Sequence, residues 1–354
     1  MPAEAVCVPT SAPALRVPVH FVVPEFALWP EIRAGRIDAI DDALLAERAV
    51  GSPNGWVSRT FFHLRQKGEQ VTISSACRRD CVNVVSPRDF RRRARPTWAF
   101  ILMPRADAHH SMLANFELRQ NDATAPSTAA ANIAYWPQAG LQRRDPARGT
   151  RLESISFKGR RINLGPEFRD EAFHAALGRL GITFEVDAFD GLLGANNWGD
   201  YRSTDAVLAV RNLTLRDALQ KPASKLVNAW FGEVPAVLGP EPAYRALRQS
   251  ELDYLEVRTP AEALQALARL KDKPDLYRRM VENGRHRREA FSTERMVERW
   301  IELLNGPVAA RFHEWQRAGR LRHLAKWTTG MLLEPVMKRI YQRSIHHGPR
   351  LLDA

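Results

Sequence analysis

Short apolar runs separated by helix-length stretches recur along both halves of the chain, and this alternation limits the fold more than any other feature. In the first half the runs are VPVHFVV (17–23), QVTISS (70–75), CVNVVS (81–86) and TWAFILM (97–103), with a helix predicted in GWVSRTFFHLRQKG (55–68). Such runs, rich in Val, Ile and Phe on successive residues, suit strands covered on both faces, as in a parallel sheet flanked by crossover helices. The second half repeats the pattern with LESISFKG (152–159), a helix over 167–180, ITFEVD (182–187), DAVLAV (205–210) and a helix from Pro222 to Phe231. VPAVLG (234–239), a helix in PAYRALRQS, DYLEVR (253–258) and further helices to residue 304 complete it. Two α/β halves of this kind predict two doubly wound, Rossmann-like domains facing a cleft.

A length of 354 residues accommodates two such domains. Residues 1–16 are expected as a flexible leader, 17–136 as the first domain, 137–150 as the linker, 151–304 as the second domain and 305–354 as a basic helical tail. The turn-rich stretch 121–150 reads as the crossing, with one short strand, NIAYW, inside it. Ligands of doubly wound sheets lie at the carboxyl ends of the strands, so the loops after residues 23, 103, 159, 210 and 239 are expected to line the cleft. Gly55, in the turn SPNG that leads into the first long helix, is one such position for a ligand's phosphate or sugar.

The formal net charge of +12 and pI near 10.1 call for an anionic partner. From Gly306 to the end there are nine Lys or Arg against three acids, which is half of the excess, and SPRDFRRRARP (86–96) is a second cluster. Neither carries aromatics at stacking spacing or a helix-turn-helix pattern, which argues against specific nucleic-acid binding. No run approaches the roughly 20 apolar residues that cross a bilayer. Cys7, Cys77 and Cys81 offer no disulfide framework and no paired zinc ligands, so a cytoplasmic location and no metal are expected.

The helix expected from Pro222 carries the chemistry. Residues 221, 224, 225 and 228 fall at i, i+3, i+4 and i+7, which puts Lys221, Ser224, Lys225 and Asn228 on one stripe. Ala223, Leu226, Val227 and Trp230 take the other side. Lysines at a helix N-terminus oppose its dipole, and a bound phosphate dianion meeting both the lysines and the free N–H groups of the first turn removes the conflict. The alternative is that the lysines reach solvent or a nearby acid.

KPASKLVNAWFGEVPAVLG, preceded by DYRSTDAVLAVR, resembles the nucleotide-sugar half of GT-B glycosyltransferases, and the resemblance extends through WPQAGLQRRDPARG, PEPAYRALRQSELDYLEV and LYRRMVENGRHRREAFSTERMVERW. It implies that the second domain binds a nucleoside-diphosphate sugar as donor substrate, without a cofactor, and that the first takes the acceptor. It assigns the diphosphate to Lys221 and Lys225, with Ser224 beside them, and places Asn228 where many relatives carry a ribose-binding glutamate. Gln220 falls where a second glutamate is expected near the donor sugar. Arg211 flanks the nucleotide, and Glu241 with Tyr244 opens the next cleft loop. Trp198, Asp200 and Tyr201 approach the base-binding strand. No Asp-x-Asp triplet occurs, which fits a metal-independent transferase. An inverting reaction needs a base at the acceptor side, for which Glu25 and His109, or its neighbour His110, stand after strands. The implied role is transfer to a glycan or lipid-linked acceptor in cell-surface glycan synthesis. Gln220 and Asn228 in place of carboxylates leave open a catalytically silent nucleotide-sugar binding protein. The tail, with Phe312, Trp315, Leu324, Trp327 and Met331 among basic residues, either rests on an anionic membrane at the inner face or braces the first domain.

Overall fold

The computed structural model describes residues 15–23, 29–49, 53–92, 98–187 and 198–353; Cys7, Glu25 and residues 93–96 of the basic run lie outside them. The first sheet holds β1 (Val19–Val22), β2 (Val71–Ser74), β3 (Val82–Val85), β4 (Phe100–Pro104), β5 (Phe116–Arg119) and β6 (Ala130–Asn132), in the order β2-β1-β3-β4-β5-β6. The second holds β7 (Ser154–Lys158), β8 (Thr183–Asp187), β9 (Ala206–Ala209), β10 (Ala236–Leu238) and β11 (Leu255–Glu256), in the order β11-β10-β9-β7-β8. All their pairings are parallel. Counted from its own first strand, the second sheet repeats the order of the first five strands of the other. These are two Rossmann-like, doubly wound domains with a helical extension, the architecture that the GT-B resemblance implies. Each sheet reverses winding beside its first strand, between β1 and β3 and between β7 and β9, and crevices open at such switch points.

The central strands β1, β3, β4, β7, β9 and β10 are buried along their whole length, which is why their sequences are rich in apolar residues, with His20, Asn83, Ser154, Ser156 and Lys158 as buried polar exceptions. β5 lacked that signature. Its Glu117 is buried and accepts a hydrogen bond from the Ser111 backbone N–H at 2.8 Å, so a charged residue interrupts the apolar pattern. β6 begins two residues ahead of NIAYW, and the stretch from residue 121 therefore belongs to the first sheet before the crossing starts. Tyr135 and Trp136 then dock on the first domain. The Trp136 indole N–H donates to Thr60 Oγ1 at 2.9 Å, and Arg59 lies over its ring.

The crossing is pinned to the second sheet by one carboxylate. Asp205, at the entry to β9 and with no exposure, accepts from Arg144 Nε (2.9 Å), Arg148 Nε (2.7 Å) and the backbone N–H groups of Glu153 and Ser154. Burial works against its charge, but the two guanidiniums and two amides outweigh it and hold its pKa below the ordinary value.

After the second domain the chain returns to the first. Helix Thr293–Leu303 ends at a kink where Gly306 leaves helical geometry (φ −94, ψ −105) and Pro307 follows. Helix Ala309–Arg317 then sets Phe312 edge-on to Phe100 of β4, with Trp315 beside it. The 28-residue helix Arg320–His347 spans about 42 Å at roughly 1.5 Å per residue and touches both domains. Trp327 and Met331 join the apolar cluster of Phe90 and Leu113 in the first domain. Near its far end Ile345 accepts from Thr214 Oγ1, and the Leu351 N–H bonds to Leu213 in the second. The brace expected of the tail is present. No helix among the described residues is long and apolar enough to cross a membrane.

Asp205→Ala deprives the buried Arg144, the half-buried Arg148 and two amides of their shared carboxylate. Denaturant titration is expected to show a loss of about 3–5 kcal/mol, the usual result of breaking a buried ion pair from one side. A loss below about 1 kcal/mol contradicts the role given to Asp205.

Candidate functional site

At the switch point of the second sheet Arg211 and Lys225 meet one carboxylate, Glu241, with the backbone of Lys158 beside them. Lys158 is the last residue of β7, and Arg211 follows β9 by two residues. Lys225 is the second residue of helix Ser224–Gly232, whose position before β10 turns its N-terminus toward the same strand ends. Glu241 lies three residues past β10. Each stands where a parallel strand ends or a crossover helix begins, so the winding of the sheet brings them together.

Arg211 and Glu241 form a bidentate pair within the protein. Arg211 Nε donates to Glu241 Oε1 at 2.6 Å and Nη2 to Oε2, and Glu241 has no solvent exposure. Burial disfavours the guanidinium charge, but Glu241 overcompensates and raises the Arg211 pKa. Tyr244, buried beside the pair and packed on Tyr254, has its phenol pushed upward, first by burial and then by Glu241.

Lys225 has no such partner. Its ammonium donates to the Lys158 carbonyl and lies 4.8 Å from the Phe157 ring centroid, and it forms no ion pair among the described residues. A Cβ at Gly159 would stand 2.7 Å from its Nζ, so a larger residue there would make the end of the lysine shift. Burial first, then repulsion by Arg211, push the Lys225 pKa down to about 7. The Lys158 ammonium is drawn aside, donating to the Asp200 carbonyl at 2.6 Å and lying over Tyr201.

The helix itself starts later than expected. Ala223 is its N-cap and makes no side-chain cap, so Pro222 and Lys221 precede it and the first-turn N–H groups have no side-chain acceptor. Lys221 is therefore not opposed to the dipole. Its ammonium lies 3.1 Å from both Asp107 and Asp217, the nearby-acid alternative. The loop before the helix is clasped by the first domain: Gln120 Nε2 donates to the Gln220 carbonyl at 2.6 Å, and Asn121 Nδ2 to the Lys221 carbonyl at 2.7 Å. Ser224 lines a cavity of about 30 Å³ at this junction, with Gln120, Asn121, Tyr135, Val227 and Phe291. Asn228 is buried and its carboxamide oxygen accepts from the Gln138 N–H in the crossing at 2.9 Å.

Other expected positions lie elsewhere. Gly55 sits inside the π-turn Asn54–Ser58 rather than ahead of the helix, where a Cβ would come within 2.1 Å of the Tyr135 hydroxyl. It serves the packing of the crossing. His109 is buried against the tail, 3.0 Å from Glu334, and the structure does not bring it to the basic cluster. His110 pairs with Glu117 at 2.9 Å, and that bond raises its pKa. Glu25 lies outside the described residues. Asp200 pairs with Arg202, Tyr201 is fully buried, and Trp198 stands just before them. No group of three or more His, Cys, Asp or Glu able to hold a metal occurs among the described residues. Lys158, Asp107, Gln120 and Asn121 were not anticipated, although a lysine ending a wholly buried strand, as in SISFK, was a readable signal.

Several solved structures are similar to this chain. HepE from Anabaena, in complex with UDP and glucose, aligns with a TM-score of 0.46 and 11% identity over 82% of this chain and 99% of HepE. AviGT4, a glycosyltransferase involved in avilamycin A biosynthesis, aligns with a TM-score of 0.44 and 17% identity over 83% of this chain and 98% of AviGT4. TarM aligns with a TM-score of 0.45 and 10% identity over 64% of this chain, which spans 55% of the length of TarM. No family model matches the chain. No curated protein matches it.

Because the Lys225 pKa falls from 10.5 to about 7, the unfolded chain holds a proton there that the folded chain releases between those values. Its contribution therefore makes stability rise with pH from about 7 to about 10. Lys225→Met should flatten that part of the wild-type profile in urea denaturation between pH 7 and 9; parallel profiles for the two proteins would refute the shift.

Proposed function

We propose that this protein is a glycosyltransferase that moves a sugar from a nucleoside-diphosphate sugar to an acceptor hydroxyl. One observation carries the reading: Lys225, whose ammonium forms no ion pair among the described residues, lies at a switch point beside Arg211 and the uncapped N-terminus of helix Ser224–Gly232. A diphosphate supplies what each of these lacks, an acceptor for free N–H groups and a charge for the ammonium. In the transfer step the glycosidic C–O bond breaks and negative charge grows on the leaving diphosphate. Lys225 and Arg211 are placed to stabilise that charge in a site sheltered from water, which is how such a step proceeds without a metal. Arriving phosphate also lifts the Lys225 pKa, so binding near neutrality takes up a proton.

In this reading Asn228, its oxygen already held by the Gln138 N–H, offers its amide N–H to the ribose hydroxyls. Ser224 and the junction cavity lie beside the nucleoside. Lys221, tied to Asp107 across the domains, joins the diphosphate only when that pair opens. The donor is the substrate and no cofactor takes part. The acceptor is a glycan or lipid-linked hydroxyl in cell-surface glycan synthesis, met at the cytoplasmic face of a membrane by the first domain.

A second reading, a binding protein without turnover, is favoured by where Gln220 and Asn228 are used. Asn228 gives its carboxamide oxygen to the Gln138 N–H and so serves the domain junction, whereas Gln220 meets Gln120 only through its backbone carbonyl. Glu241 is committed to Arg211.

Thermal unfolding with UDP, GDP and ADP, together with diphosphate release from their sugar conjugates, distinguishes the two. At least one diphosphate should raise the melting temperature. Lys225→Ala should weaken it by about 1.5–3 kcal/mol, or roughly 10- to 100-fold in Kd. Stabilisation without release from any conjugate supports the binding protein, and no stabilisation by any of the three removes both readings.

A further inference from the structure

The helix Arg320–His347 is apolar on two opposite faces, and only one is covered. Inward, Trp327, Met331 and Tyr341 pack on the first domain, Lys326 donates to the Ala114 carbonyl at 2.6 Å, and Glu334 takes His109. Outward, Leu332, Val336 and Ile340 form one row at i, i+4 and i+8, exposed by 71%, 49% and 51%. Leu321, Leu324 and Leu333 extend it, so this helix holds six of the eight large hydrophobic side chains exposed among the described residues. Monomeric surfaces seldom concentrate apolar side chains in this way without a partner.

Charge identifies the partner. Arg320, Arg322, Lys338, Arg339 and Arg343 are exposed on this helix, and Glu334, its sole acid, is turned inward. Arg339 and Arg343 lie directly beside the Leu332–Val336–Ile340 row on the helical wheel. The second basic cluster of the sequence starts nearby: Phe90, next to exposed Arg88, shares a core cluster with Trp327 and Met331. Aliphatic side chains in a straight row, flanked by long basic ones and free of acids, match the boundary between acyl chains and anionic headgroups. A second copy of the same face would set arginine rows against each other. A folded protein partner would have to meet a convex, single-helix ridge.

We infer that the outward face of helix Arg320–His347 docks on an anionic lipid surface, with Leu332, Val336 and Ile340 inserted and Arg339 and Arg343 on the headgroups. What such docking serves rests on the transferase reading. Asp107, which pairs with Lys221 across the domains, also accepts the Tyr341 hydroxyl at 2.7 Å through its carbonyl. A lipid-held acceptor would thus reach the lip of the cleft beside this helix.

Flotation of the full chain with phosphatidylcholine vesicles, with and without phosphatidylglycerol at about one part in three, tests the surface. Binding should require the anionic lipid and weaken with salt. It should fall at least about tenfold in Leu332→Ser/Val336→Ser/Ile340→Ser and in Arg339→Gln/Arg343→Gln, with melting temperatures unchanged because these side chains are exposed. Equal retention on neutral vesicles, or variants that float like the wild type, would overturn the inference. So would a concentration-dependent dimer abolished by the serine variant. Flotation without any nucleoside-diphosphate shift would keep the surface and discard the transferase; the shift without flotation would do the reverse.

Discussion

Everything in the arrangement of the two sheets runs through Asp205. A carboxylate with no exposure, at the entry to β9, gathers Arg144 and Arg148 from the crossing and two amides from the approach to β7. An unpaired charge there would be costly, so the crossing has one low-energy path. That path carries Gln138 past Asn228 and delivers Tyr135 and Trp136 to the helix of the first domain. The domain junction thus adds polar contacts of specific geometry to an apolar cluster that is continuous between the two domains.

The cleft inherits its charge from this scaffold. Once β7, β9 and the helix before β10 are fixed, Arg211 and Lys225 are close whether or not they attract, and Glu241 forms an ion pair only with Arg211 among the described residues. Arg211 is satisfied by its fork-like pairing, and Lys158 finds a backbone carbonyl and a ring face. Lys225 carries the remaining conflict, which appears as a depressed pKa rather than as a displaced side chain. A group held in that condition gains most from an incoming anion, because the anion supplies the missing interaction and relieves repulsion from Arg211 together.

How far the sequence discloses this depends on which physical signal each residue carries. Buried parallel strands announce themselves as apolar runs, so both sheets were legible apart from β5, where Glu117 breaks the run, and β6, which is three residues long. The stripe on helix Ser224–Gly232 was legible from 3.6-residue periodicity, but its start was not. Pro222 suits a first turn, yet the clasp of Gln120 and Asn121 on residues 219–221 holds the chain out of the helix until Ala223. That is a contact between residues about a hundred apart in sequence, which no local pattern encodes. Lys221 and Lys225 look equivalent in sequence; Asp107 separates them, and its reach across the domains is visible only in the fold. His109 stands at a strand end as expected, but Glu334, 225 residues later, claims it.

The tail makes the two domains and their surroundings one mechanical unit. A helix anchored at Ala114 and Asp107 on one domain and tied to Thr214 on the other restricts how widely the cleft can open, because its ends belong to different bodies. Its attachment at Asp107, through the Tyr341 hydroxyl, is also the attachment of Lys221 in the loop that precedes helix Ser224–Gly232. The Lys221–Asp107 pair and the seating of the tail are therefore joined by direct contacts at one residue, just ahead of the helix that carries Lys225, whose ammonium forms no ion pair among the described residues.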